Sequence, residues 1–194
     1  MRGWDWNKYI EATKTRKPVH FLAEAVTLLG NVNGHALDLG CGAGVDSRYL
    51  ANNGFIVEAV DSNESAILHT QELCRGLSVQ VIQEDIAKYR ITTNAYRLIL
   101  SWFSVPFVSR GKSGQLLADI QEGLMKGGMF VFALLGPEDE WAKTHPEMSF
   151  FTIEELKQLL PKLHFAKVLE EKQTAPGVTG EVKFWHKIQG IARR

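Results

Sequence analysis

The stretch that decides the fold is ALDLGCGAG at residues 36–44, a short apolar run followed by glycines at positions 40, 42 and 44. A run of this kind is typical of a buried strand that turns into a helix. Glycine permits positive φ angles and lets a bound molecule approach the backbone, and free N–H groups at a helix start favour polar ligand groups. Residues 36–44 therefore predict a ligand-binding turn, and a tight turn without a ligand is the alternative.

Strands and helices alternate along the rest of the chain. Apolar runs predict strands at residues 35–39, 55–60, 78–83, 96–102, 128–135, 165–170 and 182–191. Periodic segments predict helices at residues 4–15, 19–29, 45–53, 63–75, 112–125 and 151–160. This alternation indicates an α/β protein with a mostly parallel sheet, in which ligands bind outside the carboxyl ends of the strands. Residues 136–149 are predicted to be an insertion above the sheet, and residues 174–180 a hairpin loop.

Three successive apolar strands each end at an acidic residue: Asp38, Asp61 and Asp85. If these strands are parallel, the three carboxylates lie at one edge of the sheet. Asp61 comes about 20 residues after the glycines, where a carboxylate reaches ribose hydroxyls; a solvated helix cap is the alternative. A row of acids fits a ligand with several hydrogen-bond donors, such as an amine, a ribose and an adenine amino group, and would repel phosphates.

These segments resemble the motifs of class I S-adenosylmethionine (SAM)-dependent methyltransferases. ALDLGCGAG resembles the first motif of that family, and AVDSN (59–63), QEDI (83–86) and LMKGGMF (124–130) resemble three later ones. The resemblance implies a Rossmann-like three-layer sandwich with a seven-stranded sheet, in the order 3-2-1-4-5-7-6 with strand 7 antiparallel. The length of 194 residues fits one domain over residues 1–194, with an N-terminal helical lid at 1–30 and a core at 35–194.

The resemblance assigns the first group of cofactor-binding residues to the glycine turn. Gly40, Cys41 and Gly42 would line the amino-acid part of SAM through their backbone. Asp38, which is costly to bury without partners, would accept hydrogen bonds from the turn or meet the ammonium group of the donor. Cys41 is interpreted as a small residue of the turn rather than as a nucleophile.

The second group of implied cofactor-binding residues follows the next strands. Asp61, with Ser62 beside it, would bind the ribose hydroxyls, and Asp85 with the backbone of Ile86 would bind the adenine edge. Ser101 would lie beside the methyl group.

The main rival within this fold is an NAD-dependent dehydrogenase. Its GxGxxG fingerprint is not met, because the sixth position counted from Gly40 is Val45 and the sixth from Gly42 is Ser47. Asp38 at the turn also disfavours a phosphate contact. The sequence therefore favours SAM, with S-adenosylhomocysteine as product.

The sequence says less about the methyl acceptor than about the methyl donor. Residues 101–107 lack the Asn/Asp-Pro-Pro-aromatic box of amino-directed nucleic-acid methyltransferases, and their aromatic side chains either line an acceptor pocket or pack in the core. Trp4, Trp6 and Tyr9 either cover the donor or pack against the sheet edge. Arg16 would meet the SAM carboxylate or remain a solvated charge.

His145, in the predicted insertion, is the candidate general base, with a loop histidine of no function as the alternative. None of the six histidines has a ligand spacing, and the two cysteines form no CxxC pair, so no metal is expected.

Composition narrows the class of partner. The 22 basic and 22 acidic residues leave no net charge, so neither nucleic acid nor an anionic membrane is expected as a partner. No apolar leader or membrane-spanning run is visible, and a cytoplasmic protein, monomeric or dimeric, is expected.

The small size, the N-terminal helix pair and the C-terminal segments KFWHKI (183–188) and IARR (191–194) resemble small-molecule methyltransferases of the tellurite-resistance and thiopurine-like groups. The sequence therefore predicts direct in-line methyl transfer to a small-molecule acceptor. A non-catalytic SAM-binding sensor or partner subunit is the main alternative, and a protein or nucleic-acid acceptor is a third.

Overall fold

The computed structural model describes residues 4–30 and 33–194. Its strands are β1 (Gly34–Leu39), β2 (Phe55–Asp61), β3 (Val79–Gln83), β4 (Tyr96–Trp102), β5 (Leu124–Leu135), β6 (His164–Pro176) and β7 (Val182–Arg193). Its helices are α1 (Trp6–Thr13), α2 (His20–Leu29), α3 (Val45–Asn52), α4 (Glu64–Leu73), α5 (Arg110–Gly123), α6 (Trp141–Thr144) and α7 (Ile153–Leu159). A 3-10 turn, Val105–Phe107, follows β4.

The strands form one seven-stranded sheet in the order β3-β2-β1-β4-β5-β7-β6. β1 to β5 pair in parallel, and β7 is antiparallel to both β5 and β6. This order and the antiparallel seventh strand confirm the predicted fold. The last four residues of β1 are buried without alternation, as expected for a central parallel strand covered on both faces.

Two apolar layers separate the sheet from its helices. Along β4, Ile99 packs with the cluster formed by α5 and α7, whereas Leu98 and Leu100 pack with the cluster formed by α2 and α3. This alternation follows from the two-residue period of a strand. The arrangement therefore has three layers, and it leaves the carboxyl ends of the parallel strands open.

β6 differs most from its predicted extent, which ended at residue 170. Its backbone pairs with β7 as far as Pro176, opposite Val182. Its second half is polar and largely exposed, since β6 is the edge strand of the sheet. Apolar periodicity could not reveal it, and the result is a long hairpin that extends past the sheet to the turn at Gly177.

The N-terminal helix α1 lies over the glycine turn. Asp5 caps it by accepting a hydrogen bond of 2.9 Å from the backbone N–H of Lys8. Buried Ile10 packs against Ala43 and Val45 at the start of α3. Residues 1–3, which begin the predicted lid, lie outside the described residues. Within the described part of the chain, no helix is long and apolar enough to cross a membrane.

Gly190 is predicted to be indispensable for packing β7. A Cβ there would lie 2.3 Å from the carbonyl oxygen of Lys167 and 2.9 Å from Cζ of Phe132. Because overpacking a filled site costs about 1–3 kcal/mol, we expect Gly190→Ala to lower the free energy of urea unfolding by about 2–3 kcal/mol.

Gly111→Ala is the control, because a Cβ at this exposed helical position meets no atom within 4 Å. Its stability should stay the same or rise by about 0.5 kcal/mol. An equal loss in both variants would show that the contacts around Gly190 are not the cause.

Candidate active site

One cleft of about 770 Å³ lies at the carboxyl ends of the parallel strands. Its glycine half, as we name it, is lined by Gly40, Gly42, Asp61, Ser62, Asn63, Asp85 and Ile86. Its aromatic half is lined by Trp4, Trp6, Trp102, Phe103, Phe107, Trp141 and Trp185, with Leu135 and Val108. The cleft thus joins two surfaces of different chemistry.

The glycine turn is tied to the end of β2 by its backbone. Gly40 and Cys41 donate hydrogen bonds of 2.8 and 3.0 Å to the carbonyl oxygen of Val60. Gly40 has a φ of 78°, and a Cβ there would lie only 2.4 Å from Cβ of Ser104. At Gly42 a Cβ would meet no atom within 4 Å, so the backbone there faces open space.

Asp61 joins the turn to the start of α4. Its Oδ2 accepts a hydrogen bond of 3.0 Å from the backbone N–H of Gly42, and its Oδ1 accepts one of 2.9 Å from Asn63. Burial raises the pKa of Asp61, and the backbone donors oppose that shift. A carboxylate has about four acceptor positions, so acceptor capacity remains for a molecule in the cleft.

Asp85 lies further along the same edge. Its side chain is exposed, and its Oδ1 accepts a hydrogen bond of 2.9 Å from the backbone of Ala87. Half-buried Ile86 and exposed Ser62 complete this side of the cleft. Six of the predicted site residues, Gly40, Gly42, Asp61, Ser62, Asp85 and Ile86, are therefore brought together.

Three predicted site residues do not line the cleft: Asp38, Cys41 and Ser101. The side chain of Ser101 is buried and donates to Oγ of Ser104, 2.6 Å away, while Ser104 donates to the carbonyl oxygen of Leu39. Ser104 lines the cleft instead. Since β4 ends at Trp102, Ser101 is still inside the sheet, and the following 3-10 turn carries Ser104 to the opening.

Cys41 is buried, with its Sγ 3.7 Å from Oγ1 of Thr70. Burial raises the pKa of this thiol well above its usual range. A protonated, enclosed thiol has no nucleophilic role, which agrees with the interpretation of Cys41 as a residue of the turn.

Asp38 belongs to a buried polar cluster beneath the turn. Its Oδ2 accepts a hydrogen bond of 2.6 Å from Ser47, and Asp46 lies nearby in the first turn of α3. Burial, reinforced by the charge of Asp46, raises the pKa of Asp38 to about 7. Arg16 makes a two-point ion pair with Asp46, which also accepts the backbone N–H of Val19 at 3.0 Å. Arg16 is therefore neither a solvated charge nor free to meet a ligand.

All five tryptophans of the chain line the cleft. The ring centroid of Trp4 lies 4.4 Å from that of Trp141 and 5.2 Å from that of Phe107, and both pairs meet edge to face. Phe103 has a φ of 57°, which is strained for a bulky residue, and its N–H bonds to Ala133 of β5 at 2.9 Å. The strained backbone conformation therefore occurs at a residue that lines the cleft.

A buried ion pair supports the aromatic half from behind. Lys183 and Asp139 are almost completely enclosed and form a salt bridge. The Nζ of Lys183 lies 3.8 Å from the ring centroid of Trp141 and 3.9 Å from that of Trp185. Asp139 also accepts hydrogen bonds of 3.0 Å from the backbone of Trp141 and of His186. Sequence reasoning missed this pair, because Lys183 stood out only as part of a C-terminal segment and Asp139 as one of several charges in the predicted insertion.

His145, the predicted candidate base, does not line the cleft. Its ring lies 5.3 Å from that of Trp4, and its Nδ1 is 2.9 Å from the hydroxyl of Thr144. Among the described residues, no group of three or more His, Cys, Asp or Glu side chains is placed to hold a metal ion.

The strand order, the glycine turn after β1 and the acids after β2 and β3 define the fold class of SAM-dependent methyltransferases, as predicted. Within that class, the chain belongs to the family of tellurite resistance protein TehB, which matches residues 5–174.

The curated relatives of the chain are named as methyltransferases. A probable S-adenosyl-L-methionine-dependent methyltransferase TehB of Haemophilus influenzae is 29% identical over 69% of this chain and 47% of its own length. Ribosomal RNA small subunit methyltransferase C of Vibrio parahaemolyticus is 42% identical over 38% of this chain and 22% of its own length. The chain thus spans about half or less of the length of these relatives. The crystal structure of Haemophilus influenzae TehB superposes with a TM-score of 0.77 at 22% identity, covering 97% of this chain and 67% of that one.

Asp38→Asn should change how stability depends on pH. Because the pKa of Asp38 is raised to about 7, the folded protein holds a proton that the unfolded chain releases near pH 4. The stability from this group is complete below about pH 4 and is lost as the pH rises through about 7. We therefore expect the Tm of Asp38→Asn, relative to the wild type, to be higher at pH 8 than at pH 5. Glu147→Gln, at an exposed carboxylate, should show the same Tm difference at both pH values; a parallel response of the two variants would contradict the assignment.

Lys183→Met should destabilise the protein because it leaves the buried carboxylate of Asp139 without its cation. Breaking a buried pair on one side typically costs about 3–5 kcal/mol, and we expect a loss of that size in urea unfolding. Lys187→Met, at a partly exposed lysine on the same strand, should cost less than about 1 kcal/mol. The double variant Lys183→Met/Asp139→Asn should recover part of the loss, and no recovery would show that charge pairing is not what Lys183 contributes.

Proposed function

We propose that this protein transfers the methyl group of SAM to a small-molecule acceptor by direct in-line displacement and releases S-adenosylhomocysteine. One observation supports it above the others: a single cleft joins a glycine turn flanked by acids to a chamber of aromatic rings. Family membership and the Haemophilus influenzae relative, named as a probable SAM-dependent methyltransferase, support the same activity.

The glycine half fits the methyl donor. The open backbone at Gly42 leaves room for the amino-acid end, and the free acceptor positions of Asp61 suit the two ribose hydroxyls. Asp85 and Ile86 would hold the adenine edge. The donor would not be touched by Asp38, Cys41 or Ser101. Asp38 and Cys41 would hold the glycine turn in place from below, and Ser101 would hold Ser104.

The donor supplies a methyl group already activated on a positively charged sulfur. The residues of the chain then have to align the acceptor and exclude water, and such positioning accounts for much of the acceleration in reactions of this kind. The aromatic half suits this task, because its rings are large, apolar and packed against one another.

The charges around the cleft favour a small acceptor over a nucleic acid. The side chains that line it include the acids Asp5, Asp61, Asp85 and Glu181, against Lys8 and Lys187. A phosphate backbone needs lysine and arginine at such an opening. The match to the ribosomal RNA methyltransferase covers only 38% of the chain and gives no separate support for that acceptor.

Asp61→Ala should weaken SAM binding about tenfold or more, since hydrogen bonds to a charged group contribute about 1.5–3 kcal/mol. Titration calorimetry with SAM, S-adenosylhomocysteine and NAD in parallel measures it. The wild type should bind the first two and not NAD. Glu84→Ala, at an exposed acid on the same edge that does not line the cleft, should leave the affinity unchanged.

Unchanged SAM affinity in Asp61→Ala would overturn the ribose assignment, and binding of NAD alone would overturn the proposed function. Binding of SAM without S-adenosylhomocysteine formation over a broad set of acceptors would identify a sensor or partner subunit instead of an enzyme.

A further inference from the structure

The crossover from β3 to β4, residues 84–95, carries two of the residues proposed to hold the donor, Asp85 and Ile86. Because the sheet order is β3-β2-β1-β4, this segment passes across β2 and β1 before it reaches β4. Crossovers between parallel strands usually contain a helix. Residues 84–95, all of which the structure describes, contain turns but no helix or strand. The position of Asp85 and Ile86 therefore depends on individual contacts that the segment makes with the sheet.

One carboxylate on β2 holds this segment at two points. The hydroxyl of Tyr89 donates a hydrogen bond of 2.5 Å to Oε2 of Glu58, and the hydroxyl of Tyr96 donates one of 2.7 Å to the same oxygen. Tyr89 lies in the middle of the crossover, and Tyr96 begins β4. Glu58 and Tyr89 are half-buried and Tyr96 is buried, so the three polar groups are partly shielded from water.

Both tyrosines keep their protons at neutral pH and act as donors. Burial, reinforced by the hydrogen bond to Glu58, raises the pKa of Tyr89 and the pKa of Tyr96. A hydroxyl that donates to a carboxylate forms a shorter and stronger hydrogen bond than one between neutral groups. The two bonds to Glu58 are therefore suited to fix the crossover in one position on the sheet.

A tight turn connects Tyr89 to Asp85. The backbone N–H of Tyr89 donates a hydrogen bond of 3.0 Å to the carbonyl oxygen of Asp85. On the other side of Asp85, the N–H of Glu84 donates one of 3.0 Å to the carbonyl oxygen of Asp61. Both ends of this short stretch are thus attached to β2, one at Asp61 and the other at Glu58. The attachment keeps the group proposed to bind the ribose and the group proposed to bind the adenine at a fixed separation.

Apolar packing of the crossover would not give the same precision. Ile86, Ala87 and Ile91 are partly buried against the core cluster on this face of the sheet. Apolar contacts are non-directional, so they permit small shifts of the segment along the sheet. The hydrogen bond from Tyr89 restricts such shifts.

From these contacts, and on the basis of the proposed function, we infer that Tyr89, acting through Glu58, is a positioning residue for the adenine end of the methyl donor. Neither Tyr89 nor Glu58 lines the cleft, so both act on the donor through Asp85 and Ile86. Without the Tyr89 hydroxyl, Asp85 is free to move relative to Asp61. Binding groups have to be held within about 0.5 Å of their productive positions, and a movement of this kind weakens binding.

Two ligands that differ at the adenine edge test this inference. S-Adenosylhomocysteine carries the exocyclic amino group, which donates a hydrogen bond to a carboxylate. Its 6-deamino analogue carries a hydrogen atom in place of that group and makes no such bond. Titration calorimetry of the whole chain with each compound gives the ratio of the two affinities, and urea unfolding gives the stability of each variant.

Tyr89→Phe removes only the hydroxyl. We expect the wild type to prefer S-adenosylhomocysteine over the 6-deamino analogue, because Asp85 accepts from the amino group. In Tyr89→Phe, binding of S-adenosylhomocysteine should weaken about tenfold and binding of the analogue about threefold or less, so that the ratio of affinities falls about threefold or more. In the Asp85→Ala background, Tyr89→Phe should leave the ratio unchanged, because the group that it positions is gone.

Tyr96→Phe is the matched control. It removes a hydrogen bond to the same oxygen of Glu58 and leaves the bond from Tyr89 in place. It should lower the free energy of unfolding by an amount similar to Tyr89→Phe, with the ratio of affinities unchanged. Glu58→Gln keeps an oxygen that accepts weaker hydrogen bonds, so it should lower the ratio about twofold and tests the inference even where Tyr89→Phe does not fold.

An unchanged ratio in Tyr89→Phe, or an equal fall in Tyr96→Phe, would overturn the inference and leave Tyr89 a structural role alone. A wild type that binds both compounds equally would also overturn it, because Asp85 would then not bind the amino group, while the proposed function stands. If S-adenosylhomocysteine itself does not bind to the wild type, the proposed function fails first.

Discussion

The attachment of the glycine turn to the end of β2 is the interaction on which the rest of the site depends. Three successive backbone N–H groups, from Gly40 to Gly42, are satisfied by Val60 and Asp61. Because the turn is bound to the neighbouring strand, it keeps the positive φ angles that only glycine adopts without strain. The first two strands and the start of α3 then form one rigid edge, on which Ile10 seats α1.

The parts of the molecule that obey a local rule could be predicted from the sequence. Apolar runs and glycine spacing gave the central strands, and the class of protein is confirmed by the fold and the family. The acids after β2 and β3 do line the cleft, because parallel strands bring their carboxyl ends to one edge. The roles of the individual cofactor-binding residues stay predictions.

Other features depend on contacts between distant segments, and no local pattern reports them. Asp38 looked like a residue of the cleft, but the adjacent start of α3 supplies Ser47 and encloses it. Arg16 pairs with Asp46, thirty positions away. The second half of β6 is held by backbone pairing alone, so its polar side chains indicated a loop.

The buried pair of Lys183 and Asp139 is energetically costly, and it lies directly behind the aromatic half of the cleft. Enclosing Lys183 and Asp139 removes two charges from water, and such pairs rarely add net stability compared with apolar residues. Here the pair also fixes the orientation of two tryptophans, and Phe103 nearby retains a strained backbone. The protein is therefore less stable here than apolar packing and an unstrained backbone would make it, while the shape of the chamber is kept. Such strain is common at functional sites.

The segment that contains α1 links the two halves of the cleft. Residues of this one segment line both halves: Trp4 and Trp6 face the aromatic chamber, and Tyr9 and Ile10 belong to the stretch above the glycine turn. The two halves therefore border on the same short segment, and entry and exit at either half would involve it if it acts as the predicted lid. Substitutions that loosen or tighten the seat of Ile10 would then act on the rate of exchange, leaving the alignment of the reacting atoms to the sheet beneath.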